Sequence, residues 1–179
     1  PGLGTEDMQT FDYDPVTGDM ISVTMPLTGT VTFEYDNAGN VIRTVDPNGV
    51  QTLFTYDGRN RLLSSETDGK AQSVSYTASG QVSSASDRAG RTLTYLYNTK
   101  NLLERITNPS GEHISYQYDL NGNMTEESIF NESGSRTRYH GFDYGDPAVN
   151  TDLAPGKPWK SMVRNQDNTE NIETVFQYI

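Results

Sequence analysis

Tyrosine returns along this chain of 179 residues about every 21 residues, and this period limits the possible folds more than any single motif does. Six tyrosines keep the register: Tyr13, Tyr35, Tyr56, Tyr76, Tyr97 and Tyr118. Two positions before each of them stands an aromatic or branched apolar residue: Phe11, Phe33, Phe54, Val74, Tyr95 and Tyr116. A fixed period of this length is typical of repeat proteins, in which every repeat is one supersecondary structure.

The residues that lead up to a register tyrosine alternate between apolar and polar. In the second repeat Val31, Phe33 and Tyr35 enclose Thr32 and Glu34, and the later repeats follow the same pattern. Alternation with a period of two is typical of a strand with one buried face. We therefore predict one strand before each register tyrosine and a second strand after the turn that follows it.

Each repeat also carries the residues of two turns. Gly or Asn, which tolerate positive φ, stands four positions after the register tyrosine from the second repeat onward: Gly39, Asn60, Gly80, Asn101 and Gly122. A glycine also closes the second turn of three repeats: Gly49, Gly90 and Gly111. Asp36, Asp57, Asn98 and Asp119 can close Asx-turns onto their own backbone. Each repeat is thus predicted to be a hairpin with two strands and two turns.

The predicted fold class is all-β, with antiparallel hairpins repeated along one curved, spiralling sheet. About thirteen short strands cannot stay flat, because strands twist relative to one another. We expect the Phe and Tyr rows to share the concave face and the polar set to share the other: Thr32, Glu34, Thr55, Ser75 and Gln117. A β-propeller is the alternative, since two repeats approach the length of one blade. Odd and even repeats follow one pattern, however, and no Trp-Asp signature occurs. Both observations argue against a propeller.

Two regions are predicted along the chain. Residues 1–144 form an array of about six repeats, and residues 145–179 form an insertion loop and a degenerate seventh repeat of the same sheet. The seventh repeat would contain a strand from Trp159 to Arg164 and the aromatic step Phe176-Gln177-Tyr178. Because the chain begins without Met, we expect a piece of a longer protein. Its open sheet edges would then promote self-association.

Composition excludes several classes of protein. Cysteine is absent, so the fold has neither disulfides nor thiolate metal sites. The net charge of −11 argues against nucleic acid as a partner, because such binding requires clustered Lys and Arg. No run of 18 apolar residues exists, so no membrane insertion is expected.

The repeat motif itself resembles a known family. The run Tyr35-Asp36-Asn37-Ala38-Gly39-Asn40-Val41, followed by Asp46-Pro47-Asn48-Gly49, resembles the YD repeat of the Rhs/YD-repeat family. The runs Tyr56–Leu62 and Tyr118–Met124 resemble it as well. This family includes bacterial Rhs polymorphic toxins, shell proteins of insecticidal toxin complexes, wall-associated proteins and teneurins.

The resemblance implies a long β-sheet that spirals into a hollow shell, in a secreted or cell-surface bacterial protein. The implied partners are further YD repeats of the parent chain and an enclosed toxin domain. The family's C-terminal core, with its Gly-Arg and Asp-Pro signatures, is not recognisable after Tyr144. Autoproteolysis and toxicity are therefore not assigned to any residue of this chain.

No catalytic residue, cofactor or metal site is predicted. His113 lies in a predicted strand as a polar residue, and His140 has no nucleophile motif beside it. The run Asp119-x-Asn121-x-Asn123 resembles the start of a calcium loop, but Met124 occupies the position that requires Gly. We interpret this run as a hairpin turn, and we expect Trp159 to pack against the last strands.

The leading functional hypothesis is a non-enzymatic structural segment of a shell that encapsulates or presents a toxin or another domain. The alternative is a carbohydrate-binding or adhesive module in which sugars stack on the aromatic face. Its candidate residues are Tyr35, Phe54, Tyr56, Tyr76, Tyr95, Tyr97, Tyr116 and Tyr118. A third hypothesis, an enzyme with its site in the tail insertion, would require clustered acidic groups with perturbed pKa values.

Overall fold

The computed structural model describes residues 8–143, 160–165 and 171–175. Every regular element within these ranges is a β-strand, and neighbouring strands pair antiparallel, so the predicted all-β fold class is confirmed. Within the same ranges there is no helix of the length and hydropathy needed to cross a membrane. The spiralling of the sheet stays a prediction.

The chain divides into two structural units, Pro1–Ser75 with Ala85–Gly90 and Tyr76–Ser84 with Arg91–Ile179. In the first unit the strands pair in chain order: β1 (Thr10–Tyr13), β2 (Met20–Met25), β3 (Gly29–Tyr35), β4 (Val41–Val45), β5 (Gln51–Tyr56), β6 (Leu62–Thr67) and β7 (Lys70–Tyr76). Two strands are divided between the units: the last residue of β7, Tyr76, belongs to the second unit, and the short strand β8 (Val82–Ser86) has residues in both.

The second unit repeats this arrangement. Its strands also pair in chain order: β9 (Thr92–Tyr97), β10 (Leu103–Thr107), β11 (His113–Tyr118), β12 (Met124–Phe130), β13 (Arg136–Asp143), β14 (Lys160–Asn165) and β15 (Asn171–Val175). Strand β14 occupies most of the range predicted for the strand that begins at Trp159. Trp159 itself, the insertion 145–158 and the step Phe176–Tyr178 lie outside the described residues.

The turns share one hydrogen-bond pattern, which Asp36 illustrates. The N–H of Asp36 donates to the carbonyl of Asn40 (2.9 Å), and the N–H of Gly39 donates to the carbonyl of Asp36 (3.1 Å). The Asp36 side chain accepts the N–H groups of Ala38 and Asn40, both at 2.9 Å. The same two backbone bonds close the turns that begin at Asp46, Asp57, Thr77, Asn98, Asn108, Asp119 and Asn131. The predicted Asx-turns therefore set the hairpin geometry.

A β-bulge precedes the register tyrosine in the strand pairing. Glu34 pairs with Arg43 and Tyr35 pairs with Val41, so Ile42 is one extra residue on β4. The same shift occurs beside Tyr13, Tyr56, Tyr97 and Tyr118. A bulge bends the strand that carries it and increases its local twist. The second strand of each of these repeats is thus bent near its start.

The two faces of each unit differ in burial. Val31, Phe33 and Tyr35 are half-buried, whereas Thr32 and Glu34, which alternate with them, are exposed. The register from Phe33 through Thr44 to Thr52 places Phe33, Tyr35, Phe54 and Tyr56 on one face of the first unit. In the second unit the register through Ile106 and Ile114 does the same for Tyr95, Tyr97, Tyr116 and Tyr118. We call this the ring face of each unit.

Burial is shallow on both faces. Among the described residues Val23 is the one buried hydrophobic side chain, with 9% exposure. Among the described residues, the strand contacts within each unit join neighbours in the ladder. Stability therefore depends on contacts between adjacent strands, as in other repeat proteins whose elements pack only against the next element.

Candidate functional site

Tyr35, Tyr56 and Tyr118 each connect two consecutive strands through the side-chain hydroxyl. Tyr35 donates a hydrogen bond to the carbonyl of Met20 (2.8 Å) and Tyr56 donates one to the carbonyl of Val41 (2.8 Å). In the second unit Tyr118 donates to the carbonyl of Leu103 (2.7 Å). Each acceptor lies 15 residues before its tyrosine and is the first residue of the preceding strand.

The same acceptor residues are also the backbone partners of the preceding register tyrosine. Val41 pairs with Tyr35 in the β3–β4 ladder, and its carbonyl accepts the hydroxyl of Tyr56. Leu103 likewise pairs with Tyr97 and accepts the hydroxyl of Tyr118. These bonds and pairings run in one line through Tyr13, Met20, Tyr35, Val41 and Tyr56 in the first unit, and through Tyr97, Leu103 and Tyr118 in the second. We call this line the tyrosine spine.

Burial favours the protonated form of the Tyr35 and Tyr118 hydroxyls, which is the form that can donate. Burial raises the pKa of Tyr35 and of Tyr118 above the ordinary value of 10.0. Burial also raises the pKa of Tyr116, with a further contribution from the carboxylate of Glu127. A phenol with a raised pKa is protonated throughout the physiological range, so the hydroxyl bonds of Tyr35 and Tyr118 persist at neutral pH.

The remaining ring candidates lie on the ring faces as half-buried side chains. Phe54 is opposite Ser65, a side chain with 5% exposure, so the ring lies beside a small residue. Tyr95 is opposite Ile106, and Tyr76 and Tyr97 end their strands. The hydroxyls of Tyr35, Tyr56 and Tyr118 are already bonded to the backbone. This arrangement supports a structural role, and sugar stacking stays a prediction.

The predicted turn residues all have positive φ. The φ angles are 82° at Gly39, 82° at Gly49, 60° at Asn60, 95° at Gly80, 77° at Gly90, 62° at Asn101, 92° at Gly111 and 90° at Gly122. A Cβ atom added at Gly39 would meet nothing within 4 Å. The requirement for glycine there arises from the backbone conformation and not from crowding.

The turn carboxylates are bonded within their own loops. Asp57 accepts the N–H groups of Arg59 (2.8 Å) and Arg61 (3.0 Å), and its other oxygen accepts Nε of Arg61 (2.8 Å). The backbone and side chain of Arg61 lower the pKa of Asp57 to about 2. The Asp119 carboxylate accepts N–H bonds from Asn121 and Asn123 and a side-chain bond from Asn123. It closes a turn, in agreement with the interpretation of this run as a hairpin.

Both histidines contact aromatic rings. The His113 ring is stacked on Phe130 with a centroid distance of 4.5 Å and an interplanar angle of 7°. His140 and Phe142 are tilted by 40°, with their centroids 4.2 Å apart. Within residues 8–143, 160–165 and 171–175 no group of three His, Cys, Asp or Glu side chains is arranged to hold a metal ion. The histidines thus occupy packing positions.

The chain matches a known protein family over most of its length. A family model described as Teneurin YD-shell matches residues 4–132. The chain is 34% identical over 119 residues to the tRNA3(Ser)-specific nuclease WapA of Bacillus spizizenii, an alignment that covers 64% of this chain and 5% of WapA. The chain therefore spans a small part of that relative.

Solved structures that share the fold of this chain include two of toxin-complex proteins. The crystal structure of TcdB2-TccC3-Cdc42 matches with a TM-score of 0.54 and 16% identity, over 93% of this chain and 12% of the other. The Photorhabdus luminescens Tc holotoxin pore, with the TccC3-D651A mutation, matches with a TM-score of 0.52 and 15% identity, over 93% of this chain and 11% of the other. At these identities the likeness is one of fold alone.

Proposed function

The chain belongs to the Teneurin YD-shell family, and from this we propose that it is a non-enzymatic wall segment of a shell that surrounds or presents another polypeptide domain. The observation that supports this most is the tyrosine spine. Tyr56 and Val41 join two successive hairpins through a side chain as well as through the strand ladder. Such links stabilise a wall built from many hairpins, because each hairpin alone buries little apolar surface.

The proposed location is outside the cytoplasm, in a secreted or cell-surface bacterial protein. The proposed partners are further YD repeats on either side of the segment and an enclosed toxin or other domain. Support comes from the family and from the fold shared with the toxin-complex structures. Resident cofactors and metals are not part of the proposal.

Electron cryo-microscopy of the full-length protein tests the wall assignment. We expect β1 to β15 within a continuous sheet that encloses density from a second domain. A structure in which these strands form a solvent-exposed arm, with no enclosed density beside them, would contradict the proposal.

A nuclease assay tests the non-enzymatic part. We expect tRNA to remain intact when it is incubated with the purified chain, because the net charge of −11 repels a phosphate backbone. Cleavage that follows the chain through purification, with a rate proportional to its concentration, would overturn this part while leaving the wall assignment untouched.

A further inference from the structure

Four turns of the described residues contain an Asp or Asn followed directly by glycine: Asn48-Gly49, Asp57-Gly58, Asp68-Gly69 and Asn121-Gly122. In such a dipeptide the glycine nitrogen can attack the side-chain carbonyl carbon of the preceding residue, because glycine has no Cβ atom to hinder the approach. A turn slows this reaction when its own hydrogen bonds hold the nitrogen or the side chain in place. The four turns differ in how firmly they hold these two groups.

Two of the turns hold the glycine nitrogen. The N–H of Gly49 donates to the carbonyl of Asp46 (2.9 Å), and the N–H of Gly122 donates to the carbonyl of Asp119 (3.2 Å). The nitrogen must leave this bond before it can turn toward the neighbouring side chain. Both turns are therefore protected by the backbone bond that closes them.

A third turn holds the side chain instead. One oxygen of Asp57 accepts the N–H groups of Arg59 (2.8 Å) and Arg61 (3.0 Å), and the other accepts Nε of Arg61 (2.8 Å). The Asp57 side chain is only 19% exposed. The bonds from Arg61 also lower the pKa of Asp57 to about 2, so the protonated carboxyl, which is the form that can lose water, is rare at neutral pH.

The turn at Asp68-Gly69 holds neither group. Thr67 and Lys70 pair in the β6–β7 ladder, so two residues form the turn, and their φ angles of 52° and 70° are those of a type I′ turn. Within the described residues, neither the Asp68 carboxylate nor the Gly69 N–H has a hydrogen bond or an ion pair. Both residues are exposed, and a Cβ atom added at Gly69 would meet nothing within 4 Å. The two reacting groups are thus open to each other and to water.

The cause of this difference is one missing residue in the repeat. Asp46 stands 11 positions after Tyr35, and Thr67 stands 11 positions after Tyr56, but Gly69 follows Thr67 after two positions whereas Gly49 follows Asp46 after three. In the longer turn the Asp46 side chain accepts the N–H groups of the loop, and its carbonyl accepts the glycine N–H. The shorter turn has no residue left to serve as this cap.

We propose that Asp68-Gly69 is a site of spontaneous covalent modification, at which aspartate converts to isoaspartate. The nitrogen of Gly69 attacks Cγ of Asp68, and the new C–N bond forms while the bond from Cγ to the carboxyl hydroxyl breaks. That hydroxyl leaves as water with the amide proton, and a succinimide ring remains. Water then adds to either ring carbonyl and opens the ring to aspartate or isoaspartate. One water is lost and one is gained, and no oxidant or reductant takes part.

Isoaspartate at position 68 would lengthen the backbone of a turn whose length sets the pairing of β6 with β7. We expect the pairs nearest the turn to weaken, first Thr67 with Lys70 and then Ser65 with Gln72, whose side chains share a 2.9 Å hydrogen bond. The modification therefore gives the first unit a hairpin that loosens as the protein ages. This inference is independent of the proposed wall function.

Incubation of the folded chain at neutral pH, in water labelled with a heavy oxygen isotope, tests the inference by mass spectrometry. Each cycle of ring closure and opening places one heavy oxygen in the carboxyl group. Trypsin releases Asp68 in residues 62–70 and Asp57 in residues 44–59, and fragmentation assigns the label. We expect label to enter Asp68 at least about tenfold faster than Asp57, because each unit by which a pKa falls reduces the protonated form about tenfold.

The same chain unfolded in urea is the matched control. Without the turns, Asp57 and Asp68 are both followed by glycine in a disordered chain, so label should enter them at similar rates. A difference that is present in the folded chain and absent in urea is caused by the fold.

Two variants separate the hydrogen bonds of the turns from the pKa of Asp57. Asp68→Asn and Asp57→Asn place the same Asn-Gly dipeptide in the two turns, and neither side chain titrates. Asparagine loses ammonia instead of water, so conversion appears as a mass gain. We expect Asp68→Asn to convert faster than Asp57→Asn, because Asn-Gly also favours a type I′ turn and leaves the nitrogen of Gly69 without a bond. Circular dichroism checks that both variants keep their strands.

Label that enters Asp68 no faster than Asp57 in the folded chain would overturn the inference, whether both sites react or neither does. Conversion of the folded Asp57→Asn variant as fast as that of the folded Asp68→Asn variant would overturn it too. These outcomes concern the chemistry of one turn, so they are separate from the cryo-microscopy that tests the wall assignment.

Discussion

Val41 binds two register tyrosines at once: its backbone pairs with Tyr35 in the ladder, and its carbonyl accepts the Tyr56 hydroxyl at 2.8 Å. One strand-start residue thus connects two repeats that are 21 positions apart in their tyrosine register. This relationship gives tyrosine an advantage over phenylalanine at position 56: phenylalanine could fill the same space but could not donate to the carbonyl. Repeat-to-repeat coupling of this kind makes neighbouring hairpins fold together.

Gly39→Ala should destabilise the chain by about 1–2 kcal/mol, because an L-residue with a Cβ atom is strained at positive φ. Gly39 has a φ of 82°, and an added Cβ would meet nothing within 4 Å. Gly58→Ala is the matched control, since Gly58 is equally open but has no positive φ. Urea unfolding measures the free energy of unfolding of the Gly39→Ala and Gly58→Ala variants. Equal losses in the two variants would contradict the assignment of the effect to backbone conformation.

Acid should destabilise the turn at Asp57. Its pKa is lowered from the ordinary 3.8 to about 2, so the ionised carboxylate is favoured in the folded chain. A lowered pKa contributes stability that is fully present above the unfolded value and is lost as pH falls toward the folded one. We therefore expect the free energy of unfolding to decline between about pH 4 and about pH 2.

The Asp57→Asn variant isolates this contribution. Asparagine retains an acceptor for the backbone bonds but does not titrate, so the decline with acid should be shallower than in wild type. Urea unfolding at a series of pH values provides the comparison. Superimposable pH profiles for wild type and variant would show that Asp57 is not the group responsible.

Strand β1 should mediate self-association. All four of its residues are exposed, with Phe11 at 47% and Tyr13 at 57%, and among the described strands it pairs only with β2. An open edge with exposed rings recruits further strands. Sedimentation should therefore show association that grows with concentration. Phe11→Lys should reduce it, whereas Val16→Lys, at a turn position with 91% exposure, should not. A strict monomer at high concentration would contradict self-association through β1.

A glycan array should show no binding by the wild-type chain if the rings serve the sheet. The hydroxyls that a sugar would use at Tyr35, Tyr56 and Tyr118 already donate to backbone carbonyls. Specific glycan binding that disappears in folded Tyr56→Ala and Tyr97→Ala variants would instead support the carbohydrate-binding alternative.

The strands and turns were predictable because their causes are local. Alternation around Phe33 reports a half-buried strand, and Gly39 or Asn60 reports a backbone that needs positive φ. The bulge at Ile42 was not predictable, because Val41 and Ile42 are both apolar and alternation cannot show which of them is the extra residue.

The hydroxyl acceptors escaped prediction for a different reason. The alternating pattern indicates only that the tyrosine rings share one face, whereas the bond from Tyr56 to Val41 depends on where the preceding strand places a carbonyl. The constant spacing of 15 residues between strand start and tyrosine was the available signal. The row of Ile106, Ile114 and Ile129 was equally hidden, since these residues become neighbours only through the strand register.

Removing the three hydroxyls of the tyrosine spine together tests most directly whether the spine stabilises the fold. The variant with Tyr35→Phe, Tyr56→Phe and Tyr118→Phe should lose about 3 kcal/mol of unfolding free energy, about 1 kcal/mol for each hydrogen bond. The control carries Tyr13→Phe, Tyr95→Phe and Tyr97→Phe, whose hydroxyls have no hydrogen bond within the described residues. Urea unfolding should show a large loss for the first variant and little change for the second. Equal stability of the two triple variants would contradict the tyrosine spine.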